Sequence, residues 1–379
     1  MIRVLNIVDT INSGGVERRR LSMAKLLDKS KFELKIICTN AVGDFPEEFK
    51  KHGVELFEIG DLKSIFDFKQ HKKVCKIIDT FKPHIIHGAV FEGVTLAVIN
   101  GFYKRVPTII IEETSDPQNR SWRGNLLMKF FAALSHKVIG VSPASTNYLI
   151  QKLKINPKKV VLINNGVALP KYSDEESKKQ LKKQLNIKDN EIVIGSIGRM
   201  DSDATKRFSD LIKAFAILIN NEISVKLVLV GEGREKANYE QLVNKLSLEK
   251  HVVFAGYQDD VNSYYSIIDI FSLVSSHESF GLVLAEAMLH KIPIIATKVG
   301  GMQYIVDDNQ TGFLVPKYDV ESISNKIELL CSNKNLRIKF GIAGYEKAIQ
   351  NYTEERYVKN IQNLYSSLGK QKVIKLLSL

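Results

Sequence analysis

Short apolar runs separated by longer stretches of helical spacing set the rhythm of this chain. In the first half the runs fall at residues 4–8, 34–38, 85–87, 108–111, 138–141 and 160–163. In the second half they fall at 192–197, 226–230, 252–254, 268–274 and 292–296. Strand-like runs alternating with helical stretches predict βαβ units, hence parallel sheets joined by right-handed crossovers. The rhythm occurs twice, so the expected fold class is α/β, with two Rossmann-like doubly wound domains facing a central cleft. The polar stretch 170–190, rich in Lys and Glu and without apolar periodicity until Leu181, reads as the hinge region. The expected domains are 1–168, 169–345 and a helical segment 346–379 that returns to the first. Ligands of open parallel sheets bind beyond the carboxyl ends of the strands, so the loops there are the first place to look for chemistry.

A chain of 379 residues exceeds a typical single core, in accord with two domains. Its 44% hydrophobic and 25% charged residues are ordinary for a soluble globular protein. No run of about 18 apolar residues occurs, so no transmembrane helix is expected. Asp9 interrupts the N-terminal apolar run too early for a signal-peptide core, and the run reads as a first strand. Cys38, Cys75 and Cys331 are scattered, which indicates neither a disulfide framework nor a zinc site and fits a reducing cytoplasm.

The net charge of +12 is one-sided. Residues 1–185 carry 31 Lys plus Arg against 19 Asp plus Glu, whereas residues 186–379 carry 23 against 23. The asymmetry points to an acidic partner for the first half. Without zinc-finger spacing or an aromatic-interleaved basic run, no nucleic acid is expected. Residues 120–131 mix cations with bulky apolar residues, and on a helix Trp122, Leu126, Lys129 and Phe130 lie near one face. Lys69, Lys72, Lys73 and Lys76 form a second basic stripe. Two readings are open: peripheral docking on an anionic membrane surface, at the inner face of the plasma membrane, or Trp122 and Leu126 in the core with the lysines on a solvated face.

The most informative segment is 276–288, Ser-His-Glu-Ser-Phe-Gly-Leu-Val-Leu-Ala-Glu-Ala-Met. A buried strand precedes it, and the pattern predicts a helix over 282–289 that Gly281 opens. Glu286 then stands on an almost wholly apolar helix, where an unpaired carboxylate costs several kcal/mol, so a partner must meet it. Sugar hydroxyls are suitable donors, and Glu278 on the preceding loop faces the same ligand. The helix N-terminus suits a phosphate.

Glu278 and Glu286, with the flanking Ser-Phe-Gly, resemble the Glu-x7-Glu motif of the retaining nucleotide-sugar glycosyltransferases of family 4, which have the GT-B fold. Further motifs agree. Asn12-Ser13-Gly14-Gly15-Val16-Glu17 resembles the family's Gly-Gly-x-Glu loop, in which Gly14 and Gly15 approach the donor phosphate. Gly195 to Arg199, followed by Lys206, resembles its Gly-x-x-Gly-Arg…Lys pattern, with Gly198 at the close approach and Arg199 and Lys206 neutralising the diphosphate. Residues 252–261, including Tyr257, resemble the segment near the nucleotide base. Val141-Ser142 and Asn164-Asn165-Gly166-Val167 match elements near the end of the first domain. The resemblance spans residues 12 to about 290.

It implies transfer of a hexose or N-acetylhexosamine, from a UDP-sugar as the commonest donor, to a lipid-linked or saccharide acceptor in bacterial surface-polysaccharide assembly. It also implies retention at the anomeric carbon, no metal and no cofactor. Glu278 would hold sugar hydroxyls, Glu286 the ribose, and backbone amides around Ser279, Phe280, Gly281 and Leu282 would assist. Asp201-Ser202-Asp203 matches the metal motif of the other glycosyltransferase fold and is set aside, because the GT-B pattern already accounts for that loop. One position departs from the family: where a His commonly follows the strand at 108–111, this chain has Glu113, a candidate for stabilising an oxocarbenium or acting as base, or else a polar-loop residue like Glu112. His87 is a second candidate, more often structural in such a place. The departure leaves a rival reading, a catalytically silent nucleotide-sugar-binding protein.

Overall fold

The computed structural model describes residues 1–12, 14–116, 118 and 120–377, with backbone alone for 370–377. The chain divides into two compact units, Met1–Gly166 with Glu354–Leu379, and Val167–Thr353. The strands of the first unit are β1 (Ile2–Ile7), β2 (Phe32–Cys38), β3 (Glu55–Glu58), β4 (Ile85–Ala89), β5 (Thr108–Glu113), β6 (Lys137–Gly140) and β7 (Val160–Leu162). They form one parallel sheet in the order β3-β2-β1-β4-β5-β6-β7. Its helices are α1 (Gly15–Leu26), α2 (Phe45–Lys51), α3 (Phe68–Phe81), α4 (Val90–Tyr103), α5 (Trp122–Leu134) and α6 (Pro143–Asn147).

In the second unit α7 (Glu175–Gln184) precedes β8 (Ile192–Ile197), α8 (Asp203–Lys206), α9 (Phe208–Asn220), β9 (Val225–Val230), α10 (Lys236–Lys245) and β10 (Val252–Gly256). There follow α11 (Asn262–Tyr265), β11 (Ile270–Leu273), α12 (Leu282–Leu289), β12 (Ile294–Thr297), α13 (Met302–Ile305), β13 (Gly312–Val315), α14 (Val320–Ser332) and α15 (Lys334–Asn351). Its parallel sheet runs β10-β9-β8-β11-β12-β13. The last helix, α16 (Glu354–Leu377), belongs to the first unit.

Alternating residues of the first sheet feed two cores, which is why its strands read as continuous apolar runs. Val4, Ile36, Ile85 and Ile110 pack with side chains of α1 and α16, whereas Leu5, Ile37, Ile86 and Ile109 pack with those of α3, α4 and α5. In the second unit α9, α10 and α14 bury their apolar stripes against the sheet.

Three expectations are corrected. The stretch 170–190 is no loose hinge, because Asp174 caps α7 by accepting from the Ser177 amide (2.7 Å) and the helix lies in the second unit. The units part at Gly166/Val167 and again at Thr353/Glu354, since α15 runs through the expected divide at 345/346 and stays with the second unit. β3 and β13, edge strands of only four residues each, were not foreseen.

Candidate functional site

In the second unit the loops after β8, β9, β10, β11 and β12 all leave the carboxyl ends of parallel strands, and the sequence motifs sit on them. The loop after β8 is fastened to the loop after β9. The Gly198 amide donates to the Val230 carbonyl (3.0 Å), Met200 to Glu232 (2.8 Å) and Glu235 back to Met200 (2.8 Å). Gly231 and Gly233 permit this approach: a Cβ on Gly231 would lie 2.0 Å from the Gly198 carbonyl oxygen, and one on Gly233 2.3 Å from Met200. Both have positive φ, 137° and 155°, which side-chain-bearing residues rarely adopt. Sequence reasoning missed this pair, although Gly-x-Gly directly after an apolar run is a readable signal.

A second fastening joins the loop after β11 to α8. Ser276 donates from its amide to the Thr205 carbonyl (2.8 Å) and from its hydroxyl to Ala204 (2.5 Å). This registration sets the Lys206 ammonium 2.7 Å from a Glu278 carboxylate oxygen, with the two side chains 23% and 18% exposed. Two residues 72 positions apart, chosen from the sequence for separate tasks, thus form one ion pair with an open side. Beyond it, the Glu278 carbonyl accepts from the Gly301 amide (2.8 Å), and a Cβ on Gly301 would meet the Ser279 carbonyl at 2.3 Å. Gly281, at φ 99°, turns the chain into α12, whose N-terminus carries no side-chain cap. Phe280 points into the core, edge-on to Tyr352, so only its backbone serves the loop surface.

Glu286 is partly buried on α12 and already has a partner, because the Tyr265 hydroxyl donates to its Oε2 at 2.8 Å. Tyr265 stacks on His290, whose pKa burial pushes down to about 4, so that ring is neutral near pH 7. Glu286 on its apolar helix calls for a partner, for which sugar hydroxyls are suitable; the chain itself supplies one in this tyrosine hydroxyl. Tyr265 lies on a one-turn helix without periodicity, which gave no sign of it. Arg199 is not drawn into the pair: its side chain is 84% exposed, with Asp201 at 3.8 Å. Tyr257 is half exposed after Gly256, at the end of β10. Asp203 accepts from Ser209 (2.6 Å) and Tyr239 (3.1 Å) and pairs with Arg207 (3.3 Å), which commits its carboxylate to structure. Among the described residues no group of three or more His, Cys, Asp or Glu is placed to hold a metal ion.

In the first unit Gly14 is the N-cap of α1 and Gly15 its first residue, while Ser13 lies outside the described residues. The Glu17 carboxylate folds over Gly14, 2.3 Å from where a Cβ would stand. Glu112 and Glu113 are not polar-loop residues: they end β5 and are both 2% exposed. Glu113 accepts from the Ser115 hydroxyl (2.8 Å) on one oxygen and pairs with Arg120 (2.5 Å) on the other. Glu112 sits between Arg20 (2.6 Å) and Arg19 (3.2 Å), with His87 Nε2 at 3.4 Å. Burial opposes its charge, but Arg20, Arg19 and His87 hold it well below the usual carboxylate range. Burial, then Arg20, pushes His87 down to about 4, and its Nδ1 lies 2.7 Å from the Tyr365 hydroxyl. This cluster ties α1, β4, β5 and α16 together, and His87 is structural.

Residues 13–170 match the family described as Glycosyltransferase Family 4, and residues 177–347 match Glycosyl transferases group 1. The chain is 31% identical over 241 residues to the N-acetyl-alpha-D-glucosaminyl L-malate synthase of Bacillus anthracis, covering 64% of this chain and 62% of that relative, under two thirds of its length. It is 24% identical over 362 residues to the capsular polysaccharide biosynthesis glycosyltransferase CapM of Staphylococcus aureus, covering 92% and 93%. Among solved structures, Anabaena Alr3699/HepE in complex with UDP superposes with a TM-score of 0.81 at 21% identity over 100% of both chains, a likeness of fold.

Proposed function

The chain belongs to glycosyltransferase family 4, with a two-domain α/β GT-B fold, and from that premise we propose that it moves a hexose or N-acetylhexosamine from a nucleotide diphosphate sugar, with UDP-sugars as the first candidates, to a lipid-linked or saccharide acceptor. The observation that carries this reading is the Lys206–Glu278 ion pair at the carboxyl end of the second sheet, beside the uncapped start of α12. Lys206 would neutralise charge developing on the departing diphosphate, as an ammonium does most effectively where water is partly excluded. Arg199, exposed and only loosely paired with Asp201 at 3.8 Å, would fold onto the same phosphates. Glu278 would accept from sugar hydroxyls and Glu286, oriented by Tyr265, from the ribose. Retention is what the family resemblance implies, and since no side chain among the described residues of the site stands out as a covalent nucleophile, a same-face route assisted by the leaving phosphate is the mechanism proposed for it. CapM bears on the acceptor only by its name, and HepE on the donor only by its bound UDP.

Incubating the protein with labelled UDP-sugars and membrane extracts, then identifying the product, tests the proposal. Nucleotide-sugar binding without transfer or hydrolysis would leave the silent binder instead. Because two cations take the role a divalent ion fills elsewhere, activity is expected to persist in excess EDTA. A strict divalent requirement would bring Asp201 and Asp203 back into the site.

The engagement of both Glu113 oxygens supports a role in holding Ser115 and Arg120 in place over that of a free base. Glu113→Gln is then expected to lower stability by about 1–3 kcal/mol, the cost of leaving Arg120 unpaired, with kcat nearly unchanged. A fall in kcat far exceeding any change in KM would place Glu113 at the reacting centre.

A further inference from the structure

The surface of α5 is built unlike that of a solvated helix. Met128, Phe131 and Ala132 bury its inner face, yet Trp122, Leu126 and Phe130, one helical stripe on the other side, are 71%, 61% and 55% exposed. The core reading of Trp122 and Leu126 is thereby excluded. Arg123 and Lys129 are exposed on the same helix, the Arg123 guanidinium over the Trp122 ring at 5.4 Å. No Asp or Glu occurs from Trp122 to Leu134. Three bulky apolar side chains interleaved with cations, and no anion among them, match the interfacial zone of an anionic bilayer, where apolar groups enter the acyl boundary and cations meet headgroups.

The neighbourhood has the same sign. α3 packs on α4 and α4 on α5, so the three lie side by side on one face of the sheet. Opposite its buried positions Val74 and Ile78, α3 exposes Lys69, Lys72 and Lys76, with Phe66 and Phe68 exposed at its start. Lys73 leaves the stripe, since its ammonium turns in to the Ile59 carbonyl. Over the whole unit, residues 1–166 and 354–379 hold 31 Lys plus Arg against 18 Asp plus Glu, whereas residues 167–353 hold 23 against 24. The charge excess thus belongs to the unit that carries the exposed apolar stripe.

We propose that the α5 face docks the first unit on an anionic lipid surface, with the α3 lysines adding long-range attraction. The inference goes beyond the transfer reaction and does not depend on it. Flotation of the purified full chain with phosphatidylglycerol-containing vesicles, and separately with phosphatidylcholine alone, tests it. Wild type is expected to float with the anionic vesicles at low salt, to be released by added salt, and to stay unbound with phosphatidylcholine. Arg123→Glu with Lys129→Glu is expected to lower partitioning at least about a hundredfold, because each cation near such a surface contributes roughly a factor of five and reversal counts twice. Trp122→Ser with Phe130→Ser is expected to lower it at least about tenfold by removing the inserted groups. These positions are exposed, so unchanged thermal melting accompanies both variants. No flotation at low salt, flotation indifferent to either variant, or equal binding to phosphatidylcholine overturns the proposal. Self-association that Trp122→Ser with Phe130→Ser abolishes, without vesicle binding, would overturn it in favour of a face between two copies.

Discussion

Lys206→Ala is expected to reduce sugar transfer by at least about a thousandfold while leaving the second unit folded. The two halves of that expectation have separate physical grounds. The Lys206–Glu278 pair is about one-fifth exposed on either side, and pairs in such partly solvated positions contribute at most about 1 kcal/mol to folding. The loops that carry the pair are held instead by backbone bonds, from Ser276 to Thr205 and from Gly301 to Glu278, which the substitution does not touch. What disappears is a fixed positive charge at the point where a diphosphate gains negative charge as its bond to the sugar breaks, an interaction made mainly in the transition state. kcat is therefore expected to fall more than donor affinity. Glu286→Ala removes a different contact, the acceptor that Tyr265 aligns, and is expected to raise KM for the nucleotide sugar as well as abolish useful turnover. Steady-state kinetics with a melting curve for each variant decide the matter. Wild-type turnover from either would remove these residues from the site.

The second unit was more legible in the sequence than the first. Strand periodicity gave the central strands of both sheets, and the apolar helix with Glu286 was foreseen at 282–289, where α12 lies. Motif spacing also identified Lys206 and Glu278, but as separate groups. Their contact depends on how Ser276 registers one loop against α8, a fact of tertiary hydrogen bonding that no local pattern encodes. Tyr265 was illegible for the same reason. In the first unit the failure was larger. Arg19 and Arg20 look like part of a solvated basic run, Arg18-Arg19-Arg20, yet they are 3% and 0% exposed, Glu112 meeting both and the Tyr357 hydroxyl of α16 meeting Arg20. Partners 92 and 337 positions away along the chain cannot be inferred from helical spacing.

Glu112→Gln is expected to destabilise the first unit by about 3–5 kcal/mol, the usual cost of removing one member of a buried ion cluster. Arg20 and Arg19 would keep their charges, but without the only carboxylate within ion-pairing distance of them among the described residues. The His87 ring, already driven neutral by burial and by Arg20, cannot compensate. The Arg20 contact to Tyr357 (3.0 Å) and the His87 contact to Tyr365 (2.7 Å) both reach α16, so loosening of that helix is expected to precede global unfolding. Hydrogen exchange along 354–369 would show it. The linkage has a definite sign. Glu112 has a depressed pKa in the folded protein, so its stabilisation is complete above the ordinary carboxylate value of about 4.3 and is lost as pH falls through the lower folded value. The variant should therefore be weak at neutral pH and lose less on acidification than wild type does. A double-mutant cycle with Arg20→Met separates charge compensation from packing. Met in place of Arg20 removes one stranded cation, so the double variant is expected to be more stable than Glu112→Gln alone. Simple additivity, or a cost below about 1 kcal/mol for Glu112→Gln, would show that the cluster's charges are balanced by something other than this carboxylate.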